Sequence, residues 1–331
     1  MFSKYNAKIS GTGRYLPEKI LTNQDLEKIV DTSDEWIKTR TGMSERRVSG
    51  KDQPSSDLAY HASLKALEMA GLRAKDIDMI IVATVTSDHI FPSTACVLQK
   101  KLGVKHFPAF DVSAGCTGWI YASNIAKQYV ENGIAKNILV VGVEELTKIT
   151  NYTDRGTCIL FGDGAGATIF SRAEDKDISR VIDSELSADG TYGHLLIQEA
   201  GGSAMPASHE SVDKNLHTIY MEGNKIFKLA IKSMYSVCDK VLKRNNLDVK
   251  SIDWLLTHQA NLRIIEALGK KMKVDSKKVI VNIEKYGNTS SATIPIALDE
   301  AIRDKKVRHG DLILMASFGA GLTSGSLLIR L

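Results

Sequence analysis

Long apolar runs are missing from this sequence. No stretch of 18 or more apolar residues occurs, so no transmembrane helix is predicted. The opening Met1-Phe-Ser-Lys-Tyr-Asn6 lacks the apolar core of a signal peptide. Cysteine is scarce. Cys96, Cys116, Cys158 and Cys238 lie far apart, with no C-x-x-C pair. That excludes an obvious zinc site or thioredoxin motif and argues against a disulfide framework. Free thiols in a reducing, cytoplasmic setting are expected, with no metal. Charge of one sign is lacking as well. The net charge is +4, with acids and bases spread along the chain. That is too little to predict nucleic-acid binding, although it suits an acidic partner. What remains is ordinary for a globular protein, 43% hydrophobic and 25% charged. At 331 residues the chain can bury one large core or two coupled ones.

The rest is organised around Ala109-Phe-Asp-Val-Ser-Ala-Gly-Cys-Thr-Gly-Trp119. It reads as a strand over Ala109 to Val112, a turn of small residues, and a helix beginning near Cys116 and ending at Asn132-Gly133. A cysteine in the first turn of a helix faces unpaired backbone N–H groups and the positive end of the helix dipole. Both favour the nucleophilic thiolate. The bland alternative is a buried, inert thiol.

Elsewhere strands and helices alternate. Residues 7–13 read as an opening strand, and Ile77 to Thr86 and Asn137 to Val143 as buried strands. Thr22 to Val30 and Thr32 to Thr39 read as short helices with capping boxes Thr22…Asp25 and Thr32…Glu35. Asp57 to Ala70 and Val237 to Asn245 read as helices. Phe161-Gly-Asp-Gly-Ala-Gly166 reads as a glycine-rich turn feeding a strand; its spacing is wrong for a dinucleotide fingerprint. The phrase helix, polar link, Ile-Asp, apolar strand occurs at Arg73 to Val82 and again at Asp248 to Thr257. Phe318 to Ile329 echoes Phe161 to Phe170 in the same order, which implies an internal duplication. Parallel sheets covered on both faces are expected, with the boundary between Ser171 and Ser187. Residues 199–218 read as a long surface loop.

His258 follows a strand directly, the position where α/β sheets collect ligands; the alternative is a satisfied structural histidine. Asn288 lies among turn formers before a helix and reads equally as an Asx turn. Gly319-Ala320-Gly321 can bring backbone N–H groups close to a ligand. Trp36, with Arg40, Arg46 and Arg47 downstream, can hold an anionic, base-bearing ligand or form a solvated face. The order Cys, His, Asn also occurs in papain-like proteases. There, however, an aromatic directly follows the nucleophile, whereas Thr117-Gly118 follows Cys116.

The set Asp111-Val-Ser-Ala-Gly-Cys116-Thr-Gly, Thr257-His258-Gln-Ala-Asn-Leu-Arg263 and Tyr286-Gly-Asn288-Thr-Ser-Ser-Ala closely resembles β-ketoacyl-acyl-carrier-protein synthase III. Thr32-Ser-Asp-Glu-Trp36-Ile-Lys-Thr-Arg40, Thr153-Asp-Arg155-Gly-Thr and Phe161-Gly-Asp-Gly-Ala-Gly support it. The resemblance runs from about residue 8 to the end. It implies an α/β thiolase-like fold, with duplicated halves (residues 1–175 and 176–331) in a layered αβαβα arrangement. It implies an acyltransferase that needs no cofactor. An acyl-CoA primer acylates Cys116, then decarboxylative condensation with malonyl-acyl-carrier protein gives a 3-oxoacyl product. By resemblance His258 and Asn288 stabilise the charge of decarboxylation, and the backbone N–H groups of Cys116 and Ala320 form an oxyanion hole. Thr32, Trp36, Arg40, Arg155, Gly223, Asn224, Ala260 and Asn261 match coenzyme A and pantetheine contacts. Lys228, Gln259, Arg263, Lys270 and Lys271 match the surface that docks the acyl carrier protein. Phe91 matches a residue lent across a homodimer to the partner's acyl pocket. Neither nucleic acid nor membrane is an expected partner. The resemblance implies three glycines where Gly319-Ala320-Gly321 stands, and three further departures bear on the pocket or its lid. Thr323-Ser324-Gly325 stands for the usual Thr-Trp-Gly, Trp119 for a common Phe, and loop 199–218 looks long. A specialised ketosynthase or acyltransferase of secondary metabolism, for quinolones or polyketide starters, or a silent partner subunit, are the alternatives.

Overall fold

The computed structural model describes residues 4–331. Met1, Phe2 and Ser3 of the N-terminal segment read above lie outside the described residues. Strands β1 (Asn6–Tyr15), β2 (Met79–Ala83), β3 (Ala109–Val112), β4 (Asn137–Glu145) and β5 (Asp163–Ala173) form one five-stranded sheet in the order β1-β5-β4-β2-β3. Strands β6 (Arg180–Ala188), β7 (Trp254–Thr257), β8 (Val279–Ile280), β9 (Leu312–Gly319) and β10 (Thr323–Arg330) form the second, in the order β6-β10-β9-β7-β8. The two orders superpose, β1 on β6 through β3 on β8. The pairings agree as well: two antiparallel, then two parallel in each sheet. The sheets are therefore mixed, not parallel as the alternating pattern suggested. Strands β9 and β10 are joined by only Ala320 to Leu322, too short for a crossover, so they must run antiparallel.

Five layers follow. Helix α1 (Asn23–Glu27) and helix α2 (Asp34–Thr41) lie to one side, near the site described below. Helix α3 (Ser55–Ala70) covers the outer face of the first sheet with Leu58, Ala62 and Ala66. Helix α4 (Gly118–Glu131) and helix α7 (Thr293–Arg303) fill the space between the sheets. There Trp119, Ile120, Ala126, Ile294 and Leu298 meet Ile81 and Val140 of one sheet and Leu256 and Ile313 of the other. Helix α5 (Gly223–Arg244) and helix α6 (Leu262–Met272) cover the far face. Trp119 packs near Phe170, with ring centroids 6.4 Å apart. It therefore belongs to this central core and not to a ligand pocket.

Several element boundaries differ from the sequence reading, each for a local reason. Helix α2 is capped by Ser33, which accepts from the Trp36 N–H, not by Thr32. The Thr22–Asp25 capping box is present, but α1 stops at Glu27. Helix α5 starts at Gly223 because Ile226, Ala230 and Met234 continue the buried stripe; no side-chain cap at Glu222 marks its beginning. Gly164 and Gly166 lie inside β5, not in a turn. A Cβ on Gly166 would sit 2.7 Å from the Ile296 backbone nitrogen, so glycine lets α7 press on the sheet. Among the described residues, no helix is long and apolar enough to cross a membrane.

The same closeness makes the fold sensitive at Gly13, where a Cβ would meet the Ala62 carbonyl oxygen at 2.3 Å. Gly13→Val should push α3 off β1 and cost about 1–3 kcal/mol, read as a lower midpoint in denaturant unfolding. An unchanged midpoint would contradict this packing.

Candidate active site

Cys116 lies on a 3₁₀ turn, Gly115–Thr117, between β3 and α4. The α-helix begins at Gly118, two residues later than the sequence suggested. Gly115 has φ +52°, and a Cβ there would lie 2.7 Å from the Ala320 nitrogen. A Cβ on Gly319 would lie 2.5 Å from the Cys116 nitrogen. The turn between β9 and β10 is therefore pressed against the cysteine turn, which brings the Cys116 and Ala320 backbone nitrogens to one place. Gly319 is required by that approach, and Gly321 by its φ of +137°. Ala320 has no positive φ, so a side chain is tolerated at this position alone of the three.

The second half supplies the other two groups by the same construction. A 3₁₀ turn, Ser290–Ala292, precedes α7 as Gly115–Thr117 precedes α4. Asn288 stands just before it. Its backbone N–H donates to the Leu160 carbonyl at 2.9 Å, and its carbonyl accepts from Gly162 at 3.0 Å. Its Oδ1 accepts from the Ser290 N–H at 2.8 Å. The Asx-type bond is thus present, and it leaves Nδ2 as the donor for a ligand. His258 follows β7 and donates its backbone N–H to Ala316 at 2.8 Å. Its Nδ1 lies 2.7 Å from Thr293 Oγ1. When that hydroxyl gives its one proton to Nδ1, and not to the Ser290 carbonyl 3.0 Å away, the ring hydrogen sits on Nε2.

Cys116, His258, Asn288, Ser290 and Ala320 all line one cavity of about 350 Å³. Its other walls are mainly apolar, including Leu146, Phe161, Met221 and Phe318. Burial decides the protonation states. It pushes the Cys116 thiol up to about 12 and the His258 imidazole down to about 3. Both are therefore neutral at rest. The dipole effect expected from sequence is outweighed by loss of water, the larger cause of the cysteine's shift.

Trp36 packs against the apolar cluster that shares Leu146, Phe161 and Met221 with the cavity wall; the Arg155 guanidinium lies 5.0 Å from its ring centroid and that of Arg40 5.8 Å. A base stacked between Trp36 and Arg155 needs about 7 Å, two contact distances of about 3.5 Å. Arg155, anchored by its bond to the Asp31 carbonyl at 2.9 Å, must therefore swing away to admit one. Thr32 keeps its Oγ1 buried without a partner. Gly223 and Asn224 form the exposed start of α5, between Met221 and Ile226 of the cavity wall. Ala260 lines the cavity. Asn261 caps α6 through Arg263 N–H and ties it to the Arg40 carbonyl at 3.0 Å.

Lys228, Arg263, Lys270 and Lys271 are exposed on α5 and α6. Gln259 corrects the sequence reading. It is 1% exposed and its side chain joins the Thr257 and Ile280 carbonyls to the Asn282 N–H, so no docking protein can reach it. Phe91 and its neighbour Ile90 are 83% and 87% exposed on the loop tip. Loop 199–218 is surface-exposed and includes a short helix, His209–Asp213. Residues flanking it, Ile197, Gln198 and Ile219, line the cavity. Ser324 lines a second cavity of about 280 Å³, with Phe318 common to both.

Sequence reasoning passed over Ser290, Thr293 and Glu144. Glu144 had a signal: a carboxylate closing the apolar run Ile138 to Val143. Among the described residues no cluster of His, Cys, Asp or Glu suits a metal.

Two sequence models of one family match the chain: 3-oxoacyl-[acyl-carrier-protein (ACP)] synthase III over residues 110–190, and the C terminal of the same synthase over residues 242–331. A beta-ketoacyl-[acyl-carrier-protein] synthase III of Caldanaerobacter subterraneus subsp. tengcongensis is 56% identical over 330 residues, covering 100% of this chain and 99% of its own. The crystal structure of 3-oxoacyl-[acyl-carrier-protein] synthase III from Aquifex aeolicus VF5 is similar with a TM-score of 0.90 and 47% identity, over 98% of this chain and 100% of that one. The priming β-ketosynthase of the R1128 polyketide biosynthetic pathway is similar at 31% identity with a TM-score of 0.90, over 100% of this chain and 98% of its own.

The neutral imidazole has a measurable consequence. An unfolded histidine titrates near 6.5, whereas His258 is held down to about 3. Below pH 6.5 the unfolded chain binds the extra proton, so this group's contribution to stability is full above 6.5 and is lost as pH falls towards 3. Between pH 6.5 and 4.5 the wild type should lose about 2–3 kcal/mol more than His258→Gln in denaturant unfolding. Parallel pH curves for the two proteins would refute a buried neutral ring.

Proposed function

This chain belongs to the 3-oxoacyl-acyl-carrier-protein synthase III family, and we propose that Cys116, His258 and Asn288 carry out its condensation chemistry. The protein is an acyltransferase of the condensing type with the thiolase fold, and it initiates fatty acid biosynthesis. The observation that carries the residue assignment is the single cavity into which the two halves, 1–175 and 176–331, bring a sulfur, an imidazole and a carboxamide.

The chemistry runs in two stages. The Cys116 sulfur attacks the carbonyl carbon of an acyl-CoA thioester, and the Cys116 and Ala320 N–H groups take up the charge on its oxygen. Coenzyme A leaves. The malonyl thioester of the carrier protein then enters the same cavity. Loss of carbon dioxide builds negative charge on the thioester oxygen, where Asn288 Nδ2 and His258 Nε2 can donate. A neutral imidazole suits that role, since it donates without titrating at neutral pH. The carbanion attacks the acyl-cysteine carbonyl, the carbon–sulfur bond to Cys116 breaks, the freed thiolate takes up a proton, and the 3-oxoacyl carrier protein leaves. The steps need no resident cofactor.

Trp36 and Arg155 would hold the adenine once Arg155 swings out, with Thr32 and Arg40 beside them. The pantetheine arm would pass Gly223, Asn224, Ala260 and Asn261 on its way to the sulfur. The exposed cations Lys228, Arg263, Lys270 and Lys271 suit an acidic carrier protein. Exposed Ile90 and Phe91 support a homodimer in which one copy's loop tip completes its partner's acyl pocket. We place the enzyme in the cytoplasm. A specialised priming role is the second reading. It draws on the likeness to the R1128 priming ketosynthase and on the cavity beside Ser324. A silent subunit is disfavoured by the complete set of three side chains.

Incubation with acetyl-, branched and medium-chain acyl-CoAs, followed by intact mass, should add one acyl group at Cys116 and none in Cys116→Ala. Labelling that survives Cys116→Ala, or no labelling by any primer, would overturn the assignment. The preferred primer separates the two pathway readings. Arg263→Glu should weaken use of malonyl-carrier protein about tenfold while acyl-CoA labelling stays within twofold; equal loss of both would refute docking at α6.

A further inference from the structure

Glu144, at the end of β4, is completely buried beside the nucleophile, and the chemistry above leaves it without a task. Its Oε2 accepts from Thr86 Oγ1 at 2.8 Å and the Val85 N–H at 3.1 Å. Its Oε1 accepts from Ser291 Oγ at 2.9 Å and Ser290 Oγ at 3.1 Å. Ser290 lines the same cavity as Cys116, and its hydroxyl acts to hold the thiol down against the upward push of burial. Its φ is +46°, a strained backbone for a serine, which the flanking turn maintains. One hydroxyl thus lies on the cavity wall with a half-buried thiol and bonds a fully buried carboxylate.

We propose that Ser290 relays the Cys116 proton to Glu144 during acylation, so that Glu144 is the proton acceptor of the nucleophile at one remove. This rests on Cys116 being the acylated residue. As the sulfur forms its bond to the thioester carbon, its proton passes to Ser290 Oγ, and the Ser290 hydroxyl proton passes to Glu144 Oε1. When the intermediate collapses, the bond from carbon to the coenzyme A sulfur breaks. Glu144 then returns the proton through Ser290 to that departing sulfur. The half-reaction ends with acylated Cys116, coenzyme A as a free thiol and Glu144 again a carboxylate.

The relay solves a problem that the imidazole does not. A thiolate–imidazolium pair would create two charges in a site whose burial disfavours both. The relay creates none: one negative charge moves from carboxylate to sulfur. Burial also holds the Glu144 carboxyl up to about 6, nearer to the thiol than an ordinary glutamate. The groups facing Glu144 are Thr84, Val85 and Thr86 from the segment after β2, Ser290 and Ser291 from the turn before α7, and Cys116 from the turn before α4. Of these only Cys116 titrates. Glu145, next on the strand, engages Ser55 and Lys148 instead.

The test exploits a difference in sign. The charge of Glu144 repels a Cys116 thiolate, so charge removal alone would speed reaction of the sulfur. Alkylation by iodoacetamide, followed by peptide mass between pH 5.5 and 9, reads the sulfur without any substrate, and exposed Cys96 serves as internal control. The relay expects Glu144→Gln and Ser290→Ala to slow Cys116 at least tenfold at pH 7 with Cys96 unchanged. It also expects the wild-type rate to fall below about pH 6, where Glu144 takes a proton from solvent, and that fall to vanish in Glu144→Gln. Faster or unchanged alkylation of Cys116 in Glu144→Gln overturns the relay. Malonyl-carrier decarboxylation by Glu144→Gln should stay within threefold of wild type. A parallel loss there would assign Glu144 a structural role and also overturn it. Absence of acyl-CoA labelling in the wild type would instead strike the functional reading, since alkylation requires no acyl donor.

Discussion

The site depends on how closely the turn between β9 and β10 presses on the turn that carries Cys116. There is no room for a Cβ on Gly319 or Gly115, because each would enter the backbone of the other turn. Ser317 Oγ donates to the Cys116 carbonyl at 2.7 Å, and Thr323 Oγ1 donates to that of Ala114 at 2.9 Å. These bonds cross from the second sheet to the first half of the chain. They fix the cysteine turn against the second sheet, and the 3₁₀ turn ahead of α7 packs on the cysteine turn beside them. The same closeness buries His258 and leaves Cys116 half-buried. Loss of water then sets the thiol and imidazole neutral, which makes proton handling the central difficulty of the site.

Duplication was legible because it repeats whole phrases. Ile-Asp before an apolar strand recurs as β2 and β7, and a phenylalanine with glycines recurs near β5 and β10. Layer order was legible through the resemblance. The mixed character of the sheets was not, because apolar strands look alike whichever way their neighbours run. Nor were the glycines of β5, whose role is set by a helix more than a hundred positions away in sequence. The Cys116, His258 and Asn288 positions were legible as residues at strand ends and turns. Their protonation was not, since desolvation belongs to the assembled cavity and not to any segment. Gln259 misled because its neighbours face the cavity while its own amide turns into the core.

The departures from the family pattern now have separate explanations. Ala320 is harmless, because of the three residues in its turn it alone needs neither a positive φ nor a bare Cα. Trp119 fills the layer between the sheets. Ser324 is different: it borders a cavity that shares Phe318 with the reaction chamber, and a larger side chain would occupy part of that space.

The contact between Arg155 and Trp36 has a kinetic consequence. Under the function proposed above, both donors use one entrance in turn, nucleotide-bearing thioester first and protein-borne thioester second. A guanidinium that folds back onto the indole competes with the nucleotide for the same aromatic face. If the adenine binds there, as proposed, this weakens retention of spent coenzyme A and hastens clearance of the doorway. A first donor held loosely in this way would be a condition for rapid exchange with the second.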